Sequence, residues 1–213
     1  MGQQQLILIG GGGHCKSCIE VINSTGIYAI AGILDVKGKV GTTVLGYQVI
    51  GEDQELDRFP DSEYHFLVTV GQVKSVLLRK NIFEKLKAAN KTLATIISAH
   101  AIVSKYSTIG AGSVIMHGAK VNAGAVIGEN CIINTNANVE HDCQVGDHVH
   151  VSTNAVLNGD CIVNDGAFIG SNSVLVQGVK IGAGVVIGAG SVVNRAVLEP
   201  GIYAGNPCRK IVK

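Results

Sequence analysis

An uninterrupted six-residue period runs through the second half of the chain. Every sixth residue from Val103 to Val193 is aliphatic, and the residue two places earlier is always Ala, Ser, Cys or Val. From Gly112 to Gly190, the residue three places after the aliphatic one is always Gly, Asn, Asp or His. These four residue types best tolerate a left-handed backbone conformation. The pattern predicts short strands, each with one inward aliphatic side chain and each followed by a left-handed turn.

Three such sides close into a triangular coil, so that residues three periods apart stack at the usual inter-strand spacing of ~4.8 Å. We therefore predict a parallel β-helix of hexapeptide repeats over residues 100–195, with Asn136, Asn154 and Asn172 in one corner column. Because a solenoid needs capped ends, the C-terminal tail, residues 196–213, either covers the last coil or leaves it open.

Residues 1–99 have a different pattern, in which apolar strands alternate with amphipathic helices. Strands are predicted over 6–10, 28–35, 64–71 and 92–97, and helices over 14–25 and 74–90. Strands that alternate with helices are typical of a three-layer α/β unit with a parallel sheet. The first part of the chain is therefore expected to be a small Rossmann-like domain.

Composition and charge exclude several classes of partner. A net charge of +1 gives no reason to expect nucleic acid or an anionic membrane as a partner. No apolar run reaches the ~18 residues of a membrane span, and the N-terminus lacks the features of a signal peptide, so a cytoplasmic location is expected. The six cysteines are then expected to be reduced. Cys15 and Cys18 form a lone C-x-x-C, and we expect no metal site.

Three of the seven histidines lie in one stretch, NVEHDCQVGDHVHVS. His148 falls at the left-handed turn position, where the fold accepts His as it accepts Asn, and its role is interpreted as structural. His150 points outward in an otherwise apolar column, which indicates a subunit contact and leaves hydrogen-bonded packing and function as open alternatives. His141 points outward between the small residues Ala123 and Gly159, which we expect to leave room for a ligand beside the ring.

The N-terminal domain has a glycine run, Gly10–Gly13, between its first strand and first helix. Backbone N–H groups at such a turn can face a diphosphate. Cys15 stands where the dinucleotide fingerprint G-x-G-x-x-G has its third glycine, so the run can also be a tight connection without a ligand. His14 can reach a phosphate, and Asp35, at the end of the second strand, can meet a ribose or a base.

The repeat resembles that of the hexapeptide-repeat acyltransferases. The segments LILIGGGGHCKSC, NTNANVEHDCQVGDHVHVS and YAGNPCRKI are similar to the sialic acid O-acetyltransferase subgroup, above all to the bacillosamine-pathway enzymes, and the likeness spans nearly the whole chain. Those relatives N-acetylate the 4-amino group of a UDP-4-amino-4,6-dideoxy sugar for glycan or glycoprotein synthesis. The resemblance implies a left-handed β-helix, acetyl-CoA as co-substrate, a UDP-amino sugar as acceptor, and a homotrimer with active sites at subunit interfaces.

The resemblance also implies roles for individual residues. His141 matches the general base, and Asp142 matches the acidic residue that polarises it, where many relatives have Glu. Positions implied in acetyl-CoA binding are Asn134, His150, Gly159, Ser171 and Ala189. Positions implied in binding the nucleotide sugar are Gly12, Gly13, His14, Asp35, Val36, Lys37 and Gly71.

These residues fit direct transfer of an acetyl group to an amine. A His with a pKa near its ordinary value can take the surplus proton at neutral pH, typically a 10²–10⁴-fold effect. Within the enzyme class, a sugar O-acetyltransferase acting on sialic acid or a similar sugar is the alternative. From a different class, a non-catalytic nucleotide-sugar or NAD sensor on a solenoid scaffold also stays open.

Overall fold

The computed structural model describes residues 2–72 and 75–211. By internal contacts the chain divides into two compact units, Met1–Ala99 and His100–Lys213. Among the described residues, no helix is both long and apolar enough to cross a membrane.

The first unit is built on a five-stranded sheet with the order β3-β4-β2-β1-β5. All neighbouring strands are parallel except β3 and β4, which form an antiparallel hairpin. The strands are β1 (Gln4–Ile9), β2 (Tyr28–Asp35), β3 (Thr43–Val44), β4 (Tyr47–Glu52) and β5 (Tyr64–Val68), followed by β6 (Ile96–Ile97). The helices are α1 (Gly13–Thr25) and α2 (Leu77–Ala88), with 3₁₀ turns at Lys37–Lys39 and Leu56–Arg58.

The central strand β1 is apolar on both faces because both faces are covered. Ile7 and Ile9 pack in one cluster with Phe83 and Leu86 of α2. Leu6 and Leu8 alternate with them and are fully buried as well. Together with the buried side of α1, this arrangement is the predicted three-layer unit.

The prediction for this unit differed from the structure in several elements. The β3–β4 hairpin was not predicted, because β3 has only two residues and β4 is interrupted by Gly51. The predicted strand 92–97 was too long: only Ile96–Ile97 is a strand, and Leu93 makes an isolated bridge to Phe66. Helix α2 begins at Leu77, and Lys74, where a helix was predicted to start, lies outside the described residues.

The second unit is a parallel β-helix whose two-residue strands form three sheets, here called I, II and III. Sheet I contains β7 (Ile102–Val103), β10 (Lys120–Val121), β13 (Asn138–Val139), β16 (Val156–Leu157), β19 (Val174–Leu175) and β22 (Val192–Val193). Sheet II contains β8 (Thr108–Ile109), β11 (Val126–Ile127), β14 (Gln144–Val145), β17 (Ile162–Val163) and β20 (Lys180–Ile181). Sheet III contains β9 (Val114–Ile115), β12 (Ile132–Ile133), β15 (His150–Val151), β18 (Phe168–Ile169), β21 (Val186–Ile187), β23 (Ile202–Ala204) and β24 (Arg209–Lys210).

The repeat predicted the inside of this unit correctly. The aliphatic column is buried from Ile115 to Val193, while Val103 and Ile109, at the start of the coil stack, are half-buried. Every turn position from Gly112 to Gly190 has a positive φ, including 56–57° at Asn136, Asn154 and Asn172. The physical cause is steric, because Gly, Asn, Asp and His tolerate a left-handed backbone better than other residue types do.

Residues interpreted as structural occupy the predicted positions. His148 has φ 58° and is buried, with Nδ1 2.9 Å from Nδ2 of Asn130 in the preceding coil. Cys131, Cys143 and Cys161 lie in the core at the small inward position. All six cysteines are buried free thiols.

The C-terminal tail extends sheet III. Strand β23 pairs in parallel with β21, and β24 folds back antiparallel to β23. The N–H of Cys208 donates to the carbonyl of Val192 at 2.9 Å, and Cys208 joins the β-helix core. Of the two alternatives for the tail, the structure therefore has the one in which the tail packs on the last coils.

Candidate active site

His141 and Asp142 form an exposed pair at the corner between sheets I and II. Val139 anchors the corner in the core, and Asp142 takes the left-handed turn conformation with φ 60°. This turn brings Nδ1 of His141 to 2.9 Å from Oδ2 of Asp142, with 54% and 62% of the two side chains exposed. The repeat thus puts an imidazole and a carboxylate in hydrogen-bonding contact on an accessible edge.

The surroundings of His141 favour its protonated form. The hydrogen bond to Asp142 raises the pKa of His141 above its ordinary value and outweighs the opposing effect of desolvation. The charges of Asp142, Asp160 and Glu140 raise the pKa further. With Nδ1 held by a carboxylate, the neutral ring carries its proton on Nδ1 and can accept one at Nε2.

Gly159 lies one coil beyond His141, and its missing side chain makes room for the ring. A Cβ atom at Gly159 would lie 2.5 Å from both Cε1 and Nε2 of His141. The expectation that Gly159 leaves room for a ligand was therefore wrong at this position, because the imidazole itself fills the space. The next N–H, that of Asp160, donates to the His141 carbonyl at 3.1 Å and holds the two coils in register.

Asn134 and His150 form a second polar pair, at the corner between sheets III and I. Nδ2 of Asn134 lies 3.1 Å from Nε2 of His150, and Oδ1 of Asn134 accepts the N–H of Thr135 at 2.7 Å. The imidazole of His150 makes an edge contact with the Phe168 ring at a centroid distance of 5.1 Å.

The apolar column containing His150 is largely buried even within a single chain. Val114, Ile132 and His150 are each at most 6% exposed within the single chain. Phe168 and Val186 are half-buried. The first three members of this outward column are therefore covered within the single chain, whereas Phe168 and Val186 are partly accessible.

Ser171 and Ala189 continue the corner at which Asn134 lies. They occupy equivalent positions in successive coils, and the Gly190 N–H donates to the Ser171 carbonyl at 2.8 Å. The Ser171 hydroxyl lies 2.9 Å from that of Ser152. The predicted acetyl-CoA residues other than Gly159 therefore share one corner, whereas His141, Asp142 and Gly159 share another.

The first unit has a cleft of about 490 Å³ at the carboxyl ends of β1 and β5. Its lining includes five of the residues predicted to bind a nucleotide sugar: Gly12, Gly13, His14, Asp35 and Gly71. Gly12 is the N-cap of α1, and both Gly12 and Gly13 border open space. A helix N-terminus with open glycines is suited to an anion.

Asp35 holds the glycine run in shape. Its Oδ2 accepts the Gly11 N–H at 2.8 Å and an ion pair from Lys39 at 3.0 Å, while Oδ1 accepts the Val36 N–H at 2.7 Å. Burial by itself would raise the pKa of Asp35, but these contacts outweigh burial and lower the pKa. Gly10 adds a steric requirement, because it has φ +100° and a Cβ there would lie 2.5 Å from Cγ2 of Val70.

Three predicted binding residues differ in detail from the expectation. Val36 lines a smaller neighbouring cavity, and Lys37 lines neither this cavity nor the cleft. Burial and the charge of Arg79 lower the pKa of His14 to about 4, so His14 is neutral at pH 7. Its Nε2 lies 3.4 Å from Sγ of Cys18. A phosphate would thus meet a neutral imidazole at this position.

Sequence reasoning missed two charged residues. Lys39, two residues beyond the predicted Lys37, lies in the cleft. Asp160 lies one coil beyond Asp142 in the same turn column. The six-residue period could have predicted the position of Asp160, because residues three periods apart stack on each other and Asp160 is three periods after Asp142.

Known proteins resemble this chain over its full length. Residues 5–86 match the PglD N-terminal domain, and residues 124–159 and 160–195 match the bacterial transferase hexapeptide family. The acetyltransferase domain of PglB from Neisseria gonorrhoeae FA1090 is 33% identical with a TM-score of 0.91, over 98% of this chain and 100% of that one. The chain belongs to the hexapeptide-repeat acetyltransferases. Its β-helix is accordingly left-handed, and the resemblance and fold class inferred from the sequence are confirmed.

Further structures of this acetyltransferase family carry ligands. The PglB domain has been solved in complex with acetyl coenzyme A. PerB from Caulobacter crescentus, in complex with CoA and GDP-perosamine, is 32% identical with a TM-score of 0.91, over 100% of this chain and 98% of that one. WeeI from Acinetobacter baumannii AYE shares the fold, at 22% identity and a TM-score of 0.86 over 98% and 100% of the two chains. No curated protein matches the chain by sequence.

Proposed function

We propose that this protein transfers the acetyl group of acetyl-CoA to the 4-amino group of a nucleotide-linked 4-amino-4,6-dideoxy sugar, with UDP as the nucleotide. The observation that carries the proposal is the His141–Asp142 pair, at 2.9 Å, with the His141 ring packed against Gly159. It supports a general base held in one tautomer, next to a peptide unit that can meet a reacting carbonyl. The PerB and PglB neighbours, with CoA and acetyl-CoA, support the acetyl donor.

The proposed reaction is a direct transfer. The acceptor amine attacks the thioester carbon, Nε2 of His141 takes the proton from the amine, and Asp142 stabilises the resulting imidazolium. The oxyanion of the tetrahedral intermediate is stabilised by the backbone N–H of Gly159. As the carbon–sulfur bond breaks, the CoA thiolate leaves and takes the proton from His141. No covalent acetyl-enzyme is formed.

The acetyl-CoA site is proposed to lie between two copies of the chain in a homotrimer. In one chain, His141 stands at the corner between sheets I and II, whereas Asn134, His150, Ser171 and Ala189 stand at the other corner. A neighbouring copy that presents its Asn134 corner to the His141 corner would complete the site. The assembly is thus a closed head-to-tail ring.

The cleft of the first unit is proposed to bind the nucleoside diphosphate. Open N–H groups at Gly12 and Gly13 face the phosphates at the start of α1, and Lys39 supplies a positive charge. Neutral His14 can donate a hydrogen bond without a charge. Asp35 shapes the glycine run and, with Val36 and Gly71, borders the nucleoside.

The function is tested by release of the CoA thiol from acetyl-CoA, with UDP-4-amino-4,6-dideoxy-N-acetylglucosamine as acceptor. The same assay with GDP-perosamine tests a guanosine-linked amino sugar as acceptor, because a similar protein was solved with that ligand. Rapid turnover that falls by about 10²–10⁴-fold in His141→Ala supports the proposal. His148→Asn, in the same stretch but at a structural turn, is the matched control and should be as active as the wild type.

Other outcomes would reject parts of the proposal. Turnover that is unaffected in His141→Ala would reject the base but keep the activity. Binding of acetyl-CoA without turnover on either amino sugar would reject the acceptor, and sialic acid would be tested next. We further propose a cytoplasmic location, where acetyl-CoA and nucleotide sugars are available.

A further inference from the structure

A second carboxylate, that of Asp160, stands beside the His141–Asp142 pair. Asp142 and Asp160 occupy the same left-handed turn column in successive coils, each with φ 60°. A ring nitrogen of His141, an oxygen of Asp142 and an oxygen of Asp160 all lie within 4.8 Å of one another. The N–H of Asp160 donates to the His141 carbonyl at 3.1 Å, which fixes the backbone of one residue relative to the other.

The next coil holds the Asp160 side chain in place. Nε2 of Gln177 donates to Oδ2 of Asp160 at 3.1 Å. Gln177 stands in the same outward column as His141 and Gly159. In this column His141 is the proposed base, Gly159 has no side chain to displace the ring, and Gln177 orients the carboxylate of Asp160. Because Gln177 is exposed and is not part of the core, its hydrogen bond to Asp160 can be removed without disturbing the packing of the β-helix.

We propose that Asp160, oriented by Gln177, is a positioning residue that acts through His141 and stabilises its protonated ring during transfer. This inference rests on the proposed function of His141 as general base. When His141 takes the amine proton, the new positive charge faces two carboxylates instead of one. At a separation within 4.8 Å, the positive ring of His141 and the carboxylate of Asp160 attract each other appreciably even when both are exposed to water.

Three carboxylates in total face the ring, and only one of them is removed in the test. Asp142 accepts the hydrogen bond from the ring. Glu140 is already engaged by the side-chain amides of Asn122 and Asn138, at 3.0 and 2.7 Å. Asp160 raises the pKa of His141 through its charge alone. Its removal therefore changes the electrostatics at His141 without breaking a hydrogen bond to the ring.

The variant for the test is Asp160→Asn. Asn is tolerated at this turn position, because Asn136, Asn154 and Asn172 take the same left-handed conformation elsewhere in the β-helix. Asn also keeps an oxygen for the Gln177 amide. Gln177→Leu is the second variant, since it frees the Asp160 carboxylate without changing charge. Asp57→Asn, an exposed carboxylate in the first unit, controls for the loss of one negative charge.

The first measurement is the titration of His141 by NMR in the protein without substrates, which does not depend on any acetyl transfer. We expect a lower His141 pKa in Asp160→Asn, a smaller decrease in Gln177→Leu, and no change in Asp57→Asn. An unchanged His141 pKa in Asp160→Asn would overturn the inference, whether or not the protein proves to be an acetyltransferase.

The second measurement is the pH profile of kcat/KM. Because His141 should be less basic in Asp160→Asn, the rising limb of the kcat/KM profile should move to lower pH. The plateau value of kcat/KM should fall by about two- to tenfold. A reduced plateau with an unmoved limb would assign Asp160 a purely structural role. A raised KM for the amino sugar with an unmoved limb would make Asp160 a substrate-binding residue. Either result contradicts the inference.

Discussion

The imidazole ring of His141 occupies the volume that the side chain of Gly159 would need. The virtual Cβ of Gly159 lies 2.5 Å from Nε2 and Cε1 of that ring, closer than any real contact allows. Because the two residues stack in one column, the orientation of the proposed base depends on the absence of a side chain one coil away.

Gly159→Ala should therefore displace His141 while leaving the β-helix intact. Gly159 does not have the left-handed backbone that alanine disfavours, so the added methyl group acts mainly on the ring. We expect kcat to fall by about 10²-fold or more, approaching the loss in His141→Ala. Steady-state kinetics and the thermal unfolding midpoint, measured together, separate the loss of activity from instability.

A double-mutant cycle provides the control for this prediction. In a His141→Ala background the clash no longer exists, so Gly159→Ala should reduce activity little further. Two independent, multiplicative losses would mean that Gly159 contributes by a route that does not involve the ring.

The pH dependence of acetyl transfer should follow His141. Its pKa is raised chiefly by the hydrogen bond to Asp142, so kcat/KM should fall as the pH decreases through a value above the ordinary 6.5 of histidine. Asp142→Asn removes the charge but keeps the left-handed turn, and it should shift this limb to lower pH and reduce the plateau. A limb that stays in place would show that another group controls the profile.

Asp35 should link the stability of the first unit to pH. Its pKa is lowered in the folded protein, so its contribution is complete above the unfolded value near 3.8 and is lost as the pH falls through the lower folded value. Asp35→Asn should cost about 1–2 kcal/mol of the free energy of unfolding at pH 7, for the weakened Gly11, Val36 and Lys39 contacts. Thermal unfolding from pH 7 to pH 2.5 should show this difference disappearing at the acid end, and a constant difference would contradict the prediction.

Two lysines of one 3₁₀ turn offer a matched test of the cleft. Lys39 lines it, whereas Lys37 does not. Calorimetric titration with UDP should show a loss of affinity of about 3–10-fold for Lys39→Gln, the size expected for one partly exposed charge contact. Lys37→Gln should bind like the wild type, and a larger loss in Lys37→Gln would favour the assignment made from sequence.

Mixed assemblies should reveal whether the two polar corners act across a subunit boundary. His141→Ala and Asn134→Ala variants, each expected to be nearly inactive, are co-expressed with different tags and purified as mixed assemblies. If one copy supplies His141 and its neighbour supplies Asn134, one site of each purified mixed trimer is intact, which is about a third of the sites. Activity near a third of the wild-type level supports the shared site, and activity no higher than that of the parents places both groups in one chain.

The sequence by itself determined the β-helix. Its register depends on local requirements, an aliphatic residue such as Ile133 inside and a left-handed residue such as Asn136 at the corner, and these recur every six residues. The same register predicted that His148 would be structural and that His141 would face outward. The strands around the glycine run were also predicted, because a doubly covered parallel strand is apolar throughout.

Only the tertiary structure decided how side chains meet. The contact of His141 with Gly159 and the hydrogen bond from Gln177 to Asp160 join residues one coil apart, and side-chain direction decides whether such neighbours leave a gap or fill it. Lys39 enters the cleft instead of Lys37 because the 3₁₀ turn directs it to Asp35. His14 is neutral because of burial and Arg79, which is distant in sequence. Backbone preference acts over a few residues and can be predicted from the sequence, whereas packing and charge act across the fold.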